Sequence, residues 1–274
     1  MCGGPIRRYG ILVLTPLLLV ACSSGEQNPG REGESPHPPG SASTKPGGAT
    51  ARPAAGSEDA GTIDADPARL PATRSAALDL IARVIADPES FGPGVVRRSP
   101  YESDPATWPV LGTDCVWHQE KPAGSVLATV TRSFEVPAAQ GKGPIRLSAV
   151  MTVHRTREDA RWEMAESIEE TMRCPTQQLR KGESIGSMVS ASLLQGESGQ
   201  NGSEDALTEI GEYRSTGLGG PHPYSWQQSQ MLQFTLAVTG RGAKGRTEDE
   251  IGDLTTQAQA AMELRLKSAV EKQS

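Results

Sequence analysis

The sequence predicts an α+β domain: an antiparallel β-sheet with two long helices packed on one face, preceded by a signal peptide and a disordered tether. Three observations predict it. Apolar and polar residues alternate over 126–136, 145–154 and 228–238, the period of half-buried strands. Apolar residues recur at helical spacing over 157–174 and again from Ile251 onward. The first seventy residues carry one short apolar run and otherwise almost no large apolar side chains.

The chain has 274 residues, of which 36% are hydrophobic and 4% aromatic, with 30 Gly and 21 Pro. That is too little apolar mass for one compact domain of this length. A net charge of −6 excludes a general nucleic-acid binder, which needs a surplus of Lys and Arg for phosphate contacts.

Arg7 and Arg8 precede an apolar stretch, Ile11 to Val20, broken only by Thr15 and Pro16. It is shorter than the ~20 apolar residues that span a bilayer and has the form of a secretory signal peptide, residues 1–21. Leu19-Val20-Ala21-Cys22 resembles the bacterial lipobox, and Ser-Ser-Gly follows it. The resemblance implies cleavage before Cys22, a diacylglycerol on its thiol and an acyl chain such as palmitate on its amine. An ordinary signal peptide with a chance cysteine is the alternative. Two or three acyl chains make a stable anchor, so the expected location is the extracytoplasmic face of the cell membrane, lipid-anchored. Losing residues 1–21 removes Arg7, Arg8 and no acid, taking the charge to −8. Anionic headgroups repel such a surface, so the lipid alone would hold it there.

Residues 22–70 are assigned to the tether. From Ser23 to Thr62 there is no Val, Ile, Leu, Met, Phe, Tyr or Trp. Such a segment cannot offset the entropy of ordering, and as a coil it would reach roughly 35 Å. A modified Ser/Thr stalk is the other reading.

The folded domain is placed at 71–274. Thr73 to Ala86 reads as a helix, with Ala77, Leu78, Ile81, Val84 and Ile85 on one face and Asp87-Pro88 as its stop. Five prolines mark 88–113 as irregular, and Cys115 to His118 reads as a short strand. Val126–Val136 and Ile145–His154 are the first clear antiparallel pair. Arg157 to Cys174 is the first long helix, capped by Thr156, with Ala160, Met164, Ala165, Ile168 and Met172 as its apolar stripe. Weaker strands are expected at Ser187–Leu194 and Leu207–Tyr213, and a single strand over Gln228–Val238. Thr247-Glu-Asp-Glu250 is a capping box opening the last helix.

Cys2 leaves with the signal peptide and Cys22 takes the lipid, which leaves Cys115 and Cys174. An even pair in an oxidising compartment predicts a disulfide, the alternative being two buried thiols. No Cys/His set has metal-ligand spacing, and no cofactor is expected.

Two motifs invite enzymatic readings. Gly182-Glu-Ser184-Ile-Gly186 matches the nucleophile elbow, with Asp205 and His222 following in triad order. The residues before it are polar, whereas an elbow needs a buried strand there, so a turn is the simpler reading. Gly240-Arg-Gly242-Ala-Lys-Gly245 matches a dinucleotide fingerprint, but no second strand with an acidic tip follows. Glu166, Glu169 and Glu170 read as a solvated helix face. Trp117, Trp162, Tyr224 and Trp226 read mostly as core aromatics. Pro221-His-Pro-Tyr-Ser-Trp226 reads as an aromatic loop of the kind that binds ligands.

Together these features resemble the PknH-like extracellular sensor domain of actinobacteria, over about residues 72–271. The resemblance rests on Asp114-Cys115-Val-Trp117, on a helix opening after Val153-His-Arg-Thr156 and ending at Cys174, and on Tyr224-Ser-Trp226 leading a strand. The chain departs from that pattern at Thr171, where the family has Trp, and at Gln228 and its neighbours, where a second disulfide is expected. The resemblance implies a Cys115–Cys174 disulfide, a helix-packed antiparallel sheet and a ligand cleft, with no enzyme activity. The expectation is a non-catalytic, lipid-anchored surface protein whose sensor-like domain binds a ligand or an envelope partner through Trp117, His222, Tyr224 and Trp226. The alternatives are a structural or interaction lipoprotein without a small ligand and, third, a serine hydrolase using Ser184.

Overall fold

The alternating segments Val126–Val136 (β4) and Ile145–His154 (β5) pair antiparallel, with Phe134 opposite Leu147 and Val130 opposite Met151. The computed structural model describes residues 63–193 and 203–273, all within one unit, Gly56–Ser274. The expected signal peptide, the lipidated Cys22 and the tether as far as Thr62 lie outside the described residues. Ile63 is buried, Asp66 N–H donates to Val270 O, and Lys272 N–H donates to Asp64 O. The body therefore takes in residues 63–70, which composition assigns to the tether; Ile63 gives that stretch an apolar side chain to dock.

The remaining strands are Val96–Glu102 (β1), Trp108–Leu111 (β2), Trp117–Glu120 (β3), Gln177–Arg180 (β6), Glu183–Leu193 (β7), Asp205–Ser215 (β8), Gly219–Met231 (β9) and Phe234–Arg241 (β10). Of the ten strands among the described residues, eight form one sheet in the order β1-β4-β5-β10-β9-β8-β7-β6, every pair antiparallel, while β2 and β3 form a separate hairpin. The helices are Arg74–Val84 (α1), Arg157–Arg173 (α2) and Glu248–Val270 (α3). The Oγ1 atoms of Thr73, Thr156 and Thr247 cap them, and the last two complete capping boxes with Asp159 and Glu250.

Two of the strand expectations are corrected. Residues 88–113 are not wholly irregular, because β1 and β2 form there. Pro100 is tolerated because β1 is the sheet's edge and Pro100 falls between Arg97 and Glu102, where the pairing with β4 is interrupted. Gln228–Val238 is not one strand but the hairpin of β9 and β10, with Met231 opposite Phe234 and Leu232 at φ 55° in the turn. No Gly or Asn marks this turn. Tertiary contacts fix it instead: Glu204 Oε1 accepts from Leu232 N–H, and Gln233 Nε2 donates to Pro71 O and His154 O.

The two faces of the sheet differ in chemistry. One carries Phe134, Leu147, Met151, Phe234, Leu236 and Val238, and packs against Leu80, Ile81 and Val84 of α1 and Ile251, Met262 and Leu266 of α3. Gly240 belongs to this face; a Cβ there would overlap Ile251, and one at Gly242 would stand 2.8 Å from it. The glycine-rich fingerprint thus serves close packing under α3. The other face carries Thr152, His154, Gln228, Gln230 and Thr235, and α2 packs on that one. The expectation that both long helices share one face is corrected: α2 and α3 lie on opposite faces. The apolar stripe expected on α2 is corrected too. Ala160 and Met164 of that stripe are buried, but Ser167 and Thr171 complete the buried side, whereas Ile168 is half-buried and Ala165 and Met172 are exposed, as is Trp162, which sequence reasoning groups with the core aromatics. A polar sheet face chooses its helix face by hydrogen bonding, which hydrophobic periodicity does not register.

Candidate functional site

The polar sheet face, α2 and the β2–β3 hairpin enclose a cleft of about 700 Å³. This lies within the ~300–1,000 Å³ typical of small-molecule sites. Its floor is built by strand register: Thr239 lies beside Ser148 and Trp226, and Trp226 beside Glu209. Its roof is the hairpin, with Trp108, Pro109, Val110 and Trp117. Its side wall is α2, where Glu163, Glu166, Glu169 and Glu170 recur at helical spacing on the cleft side.

Cys115 and Cys174 form the expected disulfide, with Cα atoms 5.5 Å apart. It joins the hairpin to the C-terminal cap of α2, and so roof to wall. Trp117, two residues on, donates Nε1–H to Gln177 Oε1 at 2.8 Å, which fixes its ring over the cleft. Tyr224 and Trp226 also line the cleft. His222 does not: it sits near the start of β9 with Nε2 2.9 Å from Leu218 O. The aromatic segment around it is strand, not loop. Residues 219–223 extend past the end of β10, so Pro221 and Pro223 occupy a stretch paired on one side only.

The sequence reading of Glu166, Glu169 and Glu170 as a solvated face holds for Glu166 and Glu169, which are exposed, but it does not anticipate that these acids, with Glu163 and Glu209, line a cleft. Glu163 accepts from Gln228 Nε2 at 2.9 Å and Thr235 Oγ1 at 2.8 Å, and its Oε2 stands 2.6 Å from His154 Nε2. Glu209, 3% exposed, accepts from Ser190 and Thr171 hydroxyls. Burial pushes its carboxyl up, partly offset by those two bonds. Burial, then repulsion from Glu166, pushes Glu170 up to about 7. Glu166 is raised by burial and by Glu163. The signal in the sequence is the recurrence of Glu163, Glu166 and Glu170 at i, i+3 and i+7, one side of a helix. It reads as a solvated face because the partner strands are polar and offer no apolar pattern to match.

At the far end of the floor Arg241 lines the cleft, opposite Tyr224 in register. Burial lowers its guanidinium and raises the Tyr224 hydroxyl. Behind it Glu183 is bound by Arg146 at 2.6 Å and by Arg180, and lies 3.9 Å from Arg241. Burial alone would raise Glu183, but the hydrogen bonds from Arg180 and Arg146 hold it low.

The hydrolase constellation does not assemble. Ser184 lies in the β6–β7 hairpin and pairs with Arg214, so no helix follows it. Asp205 is nine residues from Arg214 along β8, roughly 30 Å at ~3.3 Å per residue. His222 pairs with Tyr213, one residue from Arg214, and therefore projects from the other face. Among the described residues no three His, Cys, Asp or Glu side chains are grouped to hold a metal ion, and no helix is long and apolar enough to cross a membrane. The chain matches no protein-family model and no curated protein.

Proposed function

We propose that this is a lipid-anchored cell-surface protein whose domain binds a ligand, in the manner of a sensor, in the cleft between α2 and the polar sheet face. The carrying observation is the cleft itself: about 700 Å³, roofed and floored by Trp108, Trp117 and Trp226, with carboxylates along one wall. Aromatic planes supply contact area at little entropic cost, and a few placed polar groups supply orientation. The disulfide holds roof and wall together, which preorganises the site. The resemblance to the PknH-like sensor domain supports the same reading, and the two positions where the sequence departs from it, Thr171 and Gln228, both line the cleft. The Leu19-Val-Ala-Cys22 segment supports the anchor.

Two measurements on the full chain test this. Cys22→Ser moves the protein from the membrane fraction to the soluble fraction if the anchor is real; equal retention of both forms contradicts it. Tryptophan emission, titrated with fractionated envelope glycans and lipids, responds in the wild type and is blunted in Trp226→Ala. Silence across the fractions contradicts ligand binding and favours a structural lipoprotein without a small ligand.

A further inference from the structure

Resting on that reading of the cleft, we infer that its ligand is an organic cation with an apolar body: a primary amine or guanidinium carried on an aromatic or alkyl group. Glu166 and Glu170 project from α2 into the cleft, and neither side chain has a hydrogen-bond or ion-pair partner among the described residues. Across from them on the floor, Glu209 lies beside Trp226. The cleft's basic groups offset this wall only in part: the charge of Arg173 lowers Glu170 and that of His154 lowers Glu166, yet both carboxyls stay raised. Arg173 is held by Glu169 and by Gly112 O, both at 3.0 Å. Arg241 lies at the Glu183 end, four residues along β10 from Ala237, which pairs with Gln228. Lys121 follows the end of β3 at the rim and is exposed to solvent.

A second, independent feature asks for a donor. Gln228 lines the cleft and is 3% exposed. Its Nε2 donates to Glu163, and because a carboxylate only accepts, this fixes which way the amide points. Its Oε1 is then a buried acceptor without a partner. An ammonium or guanidinium supplies N–H donors; an anion supplies none. The aromatic faces of Trp117 and Trp226 attract cations through their ring quadrupoles and pack the apolar body. The unbound wall is electrostatically frustrated, since Glu170 is raised by burial and by Glu166. A cation between these carboxylates relieves that repulsion.

Three probes of one shape and different charge test the inference on the full chain: 4-phenylbutylamine, 4-phenylbutanol and 4-phenylbutyrate, read by tryptophan emission and ligand-observed NMR. The amine is expected to bind about tenfold more tightly than the alcohol, and the carboxylate most weakly. In the Glu166→Gln/Glu170→Gln double variant the amine-over-alcohol preference is expected to collapse to within about twofold. This variant removes a repulsive pair, so it retains the fold; circular dichroism checks that. Equal or tighter binding of the alcohol or carboxylate, or a preference that survives in the double variant, overturns the cation and leaves ligand binding standing. Silence from all three probes also overturns it. If envelope fractions are silent as well, the ligand-binding reading falls with it.

Discussion

Glu163 Oε2 stands 2.6 Å from His154 Nε2, and this contact joins α2 to β5 beneath the cleft. The same carboxylate accepts from Thr235 and Gln228, so one side chain seats the helix on three polar groups of the sheet. Glu163→Ala leaves all three without it and is expected to cost about 3 kcal/mol. Glu163→Gln, which keeps the shape and one acceptor, is expected to cost less than half of that. Urea denaturation compares the two; a loss below about 1 kcal/mol for the alanine variant contradicts the seating role.

The disulfide closes a long loop, with Cys115 and Cys174 separated by 59 positions in sequence. The chain-entropy relation gives about 4 kcal/mol for a loop of this size. Cys115→Ala/Cys174→Ala is expected to lose most of that. It also frees the hairpin from α2, so Trp117 emission is expected to shift toward that of exposed indole. A variant with wild-type stability and unchanged emission contradicts the linkage.

The acidic wall makes stability depend on pH with a definite sign. Glu170 is raised from 4.5 to about 7, first by burial and next by Glu166. An acid raised in the folded state binds more protons folded than unfolded, so its contribution is fully present below pH 4.5 and is lost as pH rises through about 7. The other charged groups of the cleft are Glu163, Glu166, Glu169 and Arg173 on α2, Glu209 on β8, Arg241 on β10, and Glu120 and Lys121 of the hairpin, with His154 nearby on β5. Glu170→Gln isolates the one carboxyl. Its stability advantage over the wild type is expected to grow from about pH 4.5 to about pH 8, measured as the difference in urea midpoints. A difference independent of pH contradicts the assignment.

What the sequence discloses follows from what leaves a periodic trace. Strands β4 and β5 match the alternating runs at both ends, and the threonine caps of α2 and α3 are readable from Thr156 and Thr247. Cysteine count and the expectation of an oxidising compartment point to Cys115 and Cys174, and Trp117, Tyr224 and Trp226 do reach the cleft. The β9–β10 turn leaves no trace because Leu232-Gln233 is held from outside by Glu204, Pro71 and His154. The acidic wall is visible only as charge, and charge on a helix ordinarily means solvent. Its meaning depends on α2 lying over Gln228 and Thr235, a tertiary fact with no local signature.

The opposite placement of α2 and α3 gives the most direct test of ligand binding in the cleft. Hydrogen–deuterium exchange of the full chain, with and without fractionated envelope extract, reads each face separately. A ligand seated in the cleft adds protection in Arg157–Arg173, in the Trp108–Trp117 hairpin and around Tyr224–Gln228, and leaves Glu248–Val270 unchanged. Protection confined to Glu248–Val270, or absent from all of these segments, would contradict it.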